Sequence, residues 1–227
     1  MRNLEAPDSP DVLYRYRGSE IPRSRPIFQG DVFEDVIVPG FDDSPTLALI
    51  ITHACSLRAG TELRSRLLMG IVELSNIKFS WNGNFRMMAL PNLLEDPRER
   101  QFVVEFDNIG SVMTQSLDLD KRVACLSDLG VLILQQRLAH HFTRSVIETD
   151  TLFDQSANVL TEAELLEDWV EASIKFDNNW DDKYKLTLNQ FEDFIKDKRD
   201  LLKYPSKRSE VRRVVHHEIN RRFGNLL

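Results

Sequence analysis

Leu47-Ala48-Leu49-Ile50-Ile51 is apolar without interruption, and the fold prediction for the N-terminal half starts from this run. A short, continuously apolar run predicts a central β-strand that is buried on both faces. Thr52-His53-Ala54-Cys55 follows it directly and brings the first polar side chains. The sequence therefore places a polar segment at the end of a rigid strand, where side-chain geometry is well fixed.

Further short β-like runs flank this strand, and Asn82-Gly83 between two of them predicts a hairpin turn. Short strands at this spacing predict a small β-barrel or a strongly bent sheet over residues 27–120. Four prolines before it predict an extended arm over residues 1–26. The β-like runs are 32–38, 67–74, 85–90, 101–106 and 109–113.

A helical period replaces the β pattern after Leu119. Ser127 is placed to cap a helix whose apolar positions extend to Phe142 and beyond. Thr161-Glu162-Ala163-Glu164 has the pattern of a capping box, which predicts that another helix begins there. We therefore expect an all-helical region over residues 121–227, and an α+β fold class for the whole chain.

The composition fits a globular protein, with 42% hydrophobic and 29% charged residues in 227. It excludes a secreted mini-protein, a collagen-like chain and a disordered tail. Cys55 and Cys125 make neither a disulfide framework nor a four-ligand zinc site, so we expect no cofactor, no metal and a reducing, cytoplasmic location. No apolar segment predicts a signal peptide or a membrane span, and we expect no membrane partner.

The net charge of -7 conceals an uneven distribution along the chain. Residues 146–182 carry eleven acidic residues against one lysine, whereas 203–222 carry seven basic residues against two acidic ones. The basic residues belong to a predicted amphipathic terminal helix over 206–223. Three interpretations are open for its arginines: nucleic-acid binding, docking to an acidic protein partner, or packing against the acidic helix of this chain. The arginines are Arg208, Arg212, Arg213, Arg221 and Arg222.

The strand-end segment carries the candidate catalytic residues. His53 and Cys55 are two residues apart, so in an extended chain their side chains point the same way and could touch. A thiolate beside an imidazole is a nucleophile, although a free cysteine is more often a small buried side chain. The adjacent pairs His140-His141 and His216-His217 cannot chelate one metal ion as a unit, because neighbouring helical residues diverge by about 100°.

The order Gln29-Gly30-Asp31-Val32-Phe33, a loop, and then 47–52 resembles the opening of PemK/MazF-like proteins over residues 27–115. The resemblance implies an SH3-like barrel, and for the toxin members a metal-independent endoribonuclease activity. Gly30 and Asp31 match the family's structural pair, and Thr52 matches the hydroxyl residue that ends its second strand. The chain also resembles uncharacterised bacterial proteins with a His- or Gln-containing segment and a cysteine at this place.

One departure bears on activity. The toxins place an Arg-Pro pair before the second strand, and this arginine supplies charge to the cleaved phosphate; here the pair is Ser44-Pro45. We therefore expect an accessory or interaction subunit of a bacterial toxin–antitoxin or antiviral defence system, acting with a protein partner as a homo- or hetero-oligomer. The alternative is an endoribonuclease that uses Thr52 or His53 with an arginine from Arg58, Arg64 or Arg66. A cysteine-nucleophile enzyme through Cys55 is a third hypothesis.

Overall fold

The fold is taken from a computed structural model, which describes residues 4–41, 44–59, 62–75, 81, 85–94, 101–174 and 180–224. The described residues form nine β-strands and four α-helices, and the helices lie mainly in the C-terminal half. The prediction of an α+β fold class is confirmed. No helix among these residues combines the length and the apolar character needed to cross a membrane.

The chain divides into two compact units. The sheet unit comprises Met1–Arg23, Phe28–Leu57 and Leu63–Asp154. The helical unit comprises Ser24–Ile27, Arg58–Glu62 and Gln155–Leu227.

Seven strands form one antiparallel, curled sheet in the sheet unit, in the order β1-β9-β2-β3-β6-β8-β7. The apolar run 47–51 supplies most of β3, and residues 48–51 are all buried as predicted. The strands are β1 (Tyr14–Arg17), β2 (Asp31–Val36), β3 (Thr46–Ile50), β4 (Arg58–Ala59), β5 (Glu62–Leu63), β6 (Arg66–Leu74), β7 (Met87–Leu90), β8 (Phe102–Met113) and β9 (Arg122–Leu126). The two shortest, β4 and β5, pair separately with each other.

The sheet differs from the sequence prediction in two respects. It includes β1 and β9, which lie outside the predicted limits of residues 27–120, so β1 takes up part of the predicted N-terminal arm. β8 lies between β6 and β7, so these two strands are not the neighbours that a hairpin at Asn82-Gly83 would make them. That predicted turn itself lies outside the described residues.

Side chains link the two edge strands of the sheet. The Tyr14 hydroxyl on β1 donates a hydrogen bond to the Pro91 carbonyl just beyond β7, at 2.9 Å. Arg17 donates to the Asn92 carbonyl at 2.8 Å. The curl of the sheet therefore brings its edges together without a continuous backbone ladder, which removes part of the exposed edge.

Four α-helices accompany the strands: α1 (Asp128–Thr143), α2 (Thr149–Ile174), α3 (Trp180–Ile195) and α4 (Pro205–Phe223). Ser127 caps α1 as predicted, since its hydroxyl accepts from the Gly130 amide at 3.1 Å. The predicted helix start at Thr161 is wrong, because Thr161 is buried in the middle of α2. α4 begins at Pro205. The side chain of its N-cap residue, Tyr204, makes no capping hydrogen bond to the described amides of the helix.

Each unit has its own apolar core. In the sheet unit, buried residues of the strands pack with the N-terminal half of α1, including Leu49, Val104 and Ile133. In the helical unit, the fully buried Trp169 of α2 contacts the Phe191 ring at 5.8 Å between ring centres. The Trp169 ring also contacts the rings of Phe194 and Phe223, and the Arg222 guanidinium lies over it.

Candidate functional site

The polar segment after β3 keeps the sheet pairing for two more residues and then turns away. The Ile51 and Thr52 amides both donate to the Leu68 carbonyl on β6, at 2.8 and 3.2 Å. The Thr52 hydroxyl accepts from the Leu68 amide at 2.6 Å. Thr52 therefore has a defined structural task, since its side chain completes the pairing that the backbone can no longer make.

His53 and Cys55 meet in the turn that follows. The chain forms a short 3₁₀ helix over Ala54–Ser56, and His53 precedes it with an extended backbone. The imidazole Nδ1 lies 2.9 Å from the Cys55 Sγ and accepts from the Cys55 backbone amide at 3.3 Å. The predicted contact is confirmed, but a tight turn brings it about rather than the extended chain assumed from the sequence.

This geometry defines the chemistry of the pair. Two donors, the Cys55 amide and thiol, face Nδ1, so Nδ1 is assigned as the unprotonated nitrogen. Burial lowers the pKa of His53, which keeps the imidazole neutral near pH 7. Cys55 is exposed. A neutral imidazole in contact with an accessible thiol can take up the thiol proton as the sulfur reacts.

Acyl transfer needs N–H donors that stabilise an oxyanion, and three backbone amides of this turn already bond to other groups. The Cys55 amide points to Nδ1, the Ser56 amide donates to the His53 carbonyl at 2.8 Å, and the Leu57 amide donates to the Ala54 carbonyl at 3.3 Å. These three amides are engaged, so they do not form an oxyanion hole in this conformation. The pair therefore suits attack on an electrophile that needs no oxyanion stabilisation.

Two of the three arginines proposed to assist this segment donate guanidinium hydrogen bonds to backbone carbonyls elsewhere. Arg58 belongs to the helical unit, where its guanidinium donates to the Ile27 carbonyl at 3.0 Å. Its predicted cooperation with Thr52 and His53, which belong to the sheet unit, stays a prediction. Arg66 is exposed on β6 and donates to the Ser111 carbonyl at 3.2 Å. The Arg64 backbone carbonyl accepts from the Thr114 hydroxyl.

Gly30 and Asp31 have structural roles. Gly30 has a φ of +88°, and a Cβ there would lie 2.8 Å from the Leu126 Cβ, so both the conformation and the space require glycine. The Asp31 carboxylate is fully buried and forms an ion pair with Arg122 at 3.1 Å. It also accepts from the Phe28 amide at 3.0 Å. The pair therefore anchors the start of β2 to β9.

The basic helix α4 makes most of its ionic contacts within the helical unit. Arg212 pairs with Glu164 on α2, and His216 contacts Asp168 on α2 at 3.0 Å. Three of the other predicted arginines on α4 form a hydrogen bond or an ion pair, and the fourth has no ion pair among the described residues. Arg208 donates to the Leu202 carbonyl, and Arg221 and Arg222 both pair with Glu218, whereas Arg213 is exposed and has no ion pair among the described residues.

Further carboxylates hold arginines in and just before α4. Hydrogen bonds from Arg221 and Arg222 lower the pKa of Glu218 to about 2, so this carboxylate stays charged at neutral pH. Arg199, just before α4, is held by both Glu162 and Glu192 at 2.6 to 3.0 Å, and these bonds raise its pKa. The pair of Arg212 and Glu164 joins α4 to the acidic helix α2, as the third interpretation expects, while nucleic-acid binding and docking to an acidic partner stay predictions.

A cluster of aromatic and histidine side chains at the end of α1 was not predicted as a site. Phe142 was placed on the apolar face of this helix, but 67% of it is exposed. The His140 ring lies 4.6 Å from the Phe85 ring, and the His141 ring lies 4.8 Å from the Phe142 ring. The helical period misassigned Phe142 because the helix leaves the core in its last turn.

No family model matches the chain, and no curated protein matches it. Among the described residues, no three His, Cys, Asp or Glu side chains are grouped so that they could hold a metal ion.

Proposed function

We propose that this chain is an accessory or interaction subunit of a bacterial multi-protein system of the toxin–antitoxin or phage-defence type, built on a PemK/MazF-like barrel. The curled antiparallel sheet, with linked edge strands, is compatible with such a barrel. The family and the kind of system rest on the sequence resemblance. The choice of an accessory role over a nuclease rests on the arginines.

The observation that supports this choice is that most of the candidate phosphate-binding arginines form hydrogen bonds or ion pairs with other groups of the chain. Four of the five arginines assigned on α4 bond to a carboxylate or a carbonyl within the helical unit. Arg58 likewise donates to a backbone carbonyl. Carboxylates already pair with Arg212, Arg221 and Arg222, and this pairing leaves less uncompensated positive charge on α4 to attract a phosphate backbone.

Two measurements test the proposal. The full chain is incubated with a long single-stranded RNA in EDTA, and we expect the RNA to stay intact. Discrete fragments that disappear in Arg58→Ala would instead establish the metal-independent endoribonuclease. The tagged chain is also purified from its native host at native expression, and we expect a second polypeptide at fixed stoichiometry. A chain that elutes alone contradicts the accessory role.

A second candidate function, thiol chemistry at Cys55, is favoured by the contact of 2.9 Å between its Sγ and the His53 Nδ1. In the proposed step the sulfur attacks an electrophilic carbon or sulfur, the thiol proton passes to Nδ1, and the leaving group departs with its electron pair. The engaged amides of the turn favour alkylating electrophiles or disulfides over acyl substrates.

Iodoacetamide labelling tests this second function. Sγ displaces iodide from the reagent, so the rate of Cys55 labelling measures the reactivity of the thiol. We expect His53→Ala to slow labelling severalfold near pH 7, because the variant lacks the imidazole that takes up the thiol proton as the sulfur reacts. Buried Cys125 is the internal control and should label slowly in both proteins. Equal rates of Cys55 labelling in the unchanged protein and in His53→Ala at neutral pH would contradict this second function.

A further inference from the structure

Gln29 lies just before β2 in the sheet unit, beside the structural residues Gly30 and Asp31, and it is only 4% exposed. Its side-chain amide forms hydrogen bonds at both ends. The Nε2 donates to the Ile51 carbonyl at 3.0 Å, and the Oε1 accepts from the Gln135 side chain of α1 at 3.0 Å. A buried amide that is bonded at both ends is held in one orientation. Gln29 therefore links the end of β3 to α1.

The Ile51 carbonyl that Gln29 holds lies just beyond the last residue of β3. The next residue, Thr52, is bonded to β6, because its amide donates to the Leu68 carbonyl at 3.2 Å and its hydroxyl accepts from the Leu68 amide at 2.6 Å. A peptide group is planar and rigid, so bonds to the Ile51 carbonyl and to the Thr52 amide together fix the peptide between these residues. The turn that begins at His53 therefore starts from a fixed point.

The contact between the His53 Nδ1 and the Cys55 Sγ depends on this starting point. The short 3₁₀ helix over Ala54–Ser56 follows His53 directly, and Cys55 lies exposed within it. A contact of 2.9 Å in such an exposed turn keeps its geometry only if neighbouring residues hold the backbone in place. A displacement of about 1 Å in a reacting group is enough to lower a rate about a hundredfold.

We propose that Gln29 is a positioning residue for the pair of His53 and Cys55: its amide holds the Ile51 carbonyl and, through Gln135, ties the end of β3 to α1. The inference rests on the second proposed function, thiol chemistry at Cys55, and names a residue that acts on the sulfur through His53. A purely structural role for Gln29 would affect stability and leave the reactivity of Cys55 in the folded protein unchanged.

The test is a double-mutant cycle on the rate at which iodoacetamide labels Cys55 in the full-length protein at pH 7. Gln29→Met keeps the length of the side chain but removes both its donor and its acceptor. We expect this variant to label Cys55 about 3- to 10-fold more slowly, because the released turn lets the imidazole move away from the sulfur. Since Gln29 acts through His53, the variant that carries both Gln29→Met and His53→Ala should label at the rate of His53→Ala alone.

The matched control is Gln136→Met, since Gln136 is a buried glutamine of α1 with 1% exposure. Its side chain donates to the Ile147 carbonyl at 2.8 Å and accepts from the Glu5 amide at 2.7 Å, so the same substitution removes buried hydrogen bonds that do not involve the end of β3. Cys55 should therefore label in this variant at the rate of the unchanged protein. Slow labelling of the buried Cys125 shows in each case that the variant is folded.

A second variant, Gln135→Met, removes the tie to α1 and leaves the Gln29 side chain in place. It should label Cys55 more slowly than Gln136→Met does. This comparison tests the proposal even if Gln29→Met does not fold, and equal rates in the two variants would contradict it.

Three further results would overturn the proposal. One is a folded Gln29→Met variant whose Cys55 labels at least as fast as in the unchanged protein. Another is a double variant slowed by the product of the two single effects, because Gln29 would then act independently of His53. The third is equal slowing by Gln136→Met. If His53→Ala is slow in these assays and Gln29→Met is not, the thiol function stands and the positioning role is wrong; if His53→Ala labels at the unchanged rate, the thiol function itself is wrong.

Discussion

The buried ion pair between Arg25 and Glu167 allows the sharpest test of how the helical unit is built. The two side chains are 5% and 7% exposed, and the Arg25 Nη1 donates to the Glu167 carboxylate at 2.6 Å. Arg25 lies in the predicted N-terminal arm, whereas Glu167 lies in α2, 142 residues further along the chain. The pair therefore fastens the segment 24–27 to the helices of its unit.

We expect Glu167→Gln to destabilise the protein strongly, because the substitution removes the buried carboxylate charge that pairs with Arg25. Breaking one side of a buried pair costs about 3–5 kcal/mol. For a chain of this size each kcal/mol lowers the thermal midpoint by about 2–4 °C, so the midpoint should fall by roughly 6–20 °C. Replacement of both residues by methionine removes both charges, and it should recover most of this loss.

Urea denaturation and thermal melting followed by circular dichroism measure these changes. The matched control is Arg23→Met, because Arg23 pairs with Asp120 at 3.2 Å while both side chains are well exposed. An exposed pair contributes about 0–1 kcal/mol, so the control should melt almost as the unchanged protein does. A Glu167→Gln variant no less stable than Arg23→Met would refute the buried pair and the anchoring of this segment.

Three further predictions concern the sheet unit. Gly130→Ala should lower stability by about 1–3 kcal/mol in urea denaturation, because its Cβ would lie 2.4 Å from the Leu13 carbonyl oxygen; an unchanged midpoint contradicts that contact. Arg144→Gly should raise stability by up to about 1 kcal/mol in the same assay, since glycine fits the φ of +62°, and a loss would count against the left-handed conformation. Tyr14→Phe should cost about 1 kcal/mol at neutral pH through the lost bond to the Pro91 carbonyl. Burial raises the pKa of Tyr14, so the unfolded tyrosine ionises first, and stability should fall above about pH 10 in the unchanged protein more steeply than in the phenylalanine variant; parallel profiles would contradict this.

Features that depend on neighbouring residues could be predicted from the sequence. The continuously apolar run gave β3, and Ser127 gave the start of α1, because both signals act within a few residues. The contact between His53 and Cys55 was expected from their spacing, although a turn and not an extended chain produces it. Local patterns of this kind carry their own physical cause, whether burial, capping or proximity along the chain.

Features that depend on distant residues could not be predicted in this way. The capping-box pattern at Thr161 failed because α2 begins at Thr149, whose amide donates to the Glu5 carboxylate at 3.0 Å. A residue 144 positions away thus supplies the group that a local cap would have provided. The same holds for Arg212 of α4, because its carboxylate partner Glu164 lies on α2, 48 residues earlier in the chain.

The last turn of α1 shows a third limit of the sequence patterns. The helical period alone assigned Phe142 to the apolar face, but a period does not show where a helix passes beyond the core it packs on. The left-handed backbone of Arg144 carries no sequence signal either, since glycine or asparagine is the usual residue there. The combination of an exposed phenylalanine and a strained arginine becomes visible only in three dimensions.

The central claim, that this chain works as a subunit of a larger assembly, is tested most directly by its mass in solution after purification from the native host at native expression. Light scattering on the eluting peak should give a mass well above the 26.3 kDa of one chain, with a second polypeptide at a fixed ratio. A peak that contains this chain alone at 26.3 kDa would contradict the account.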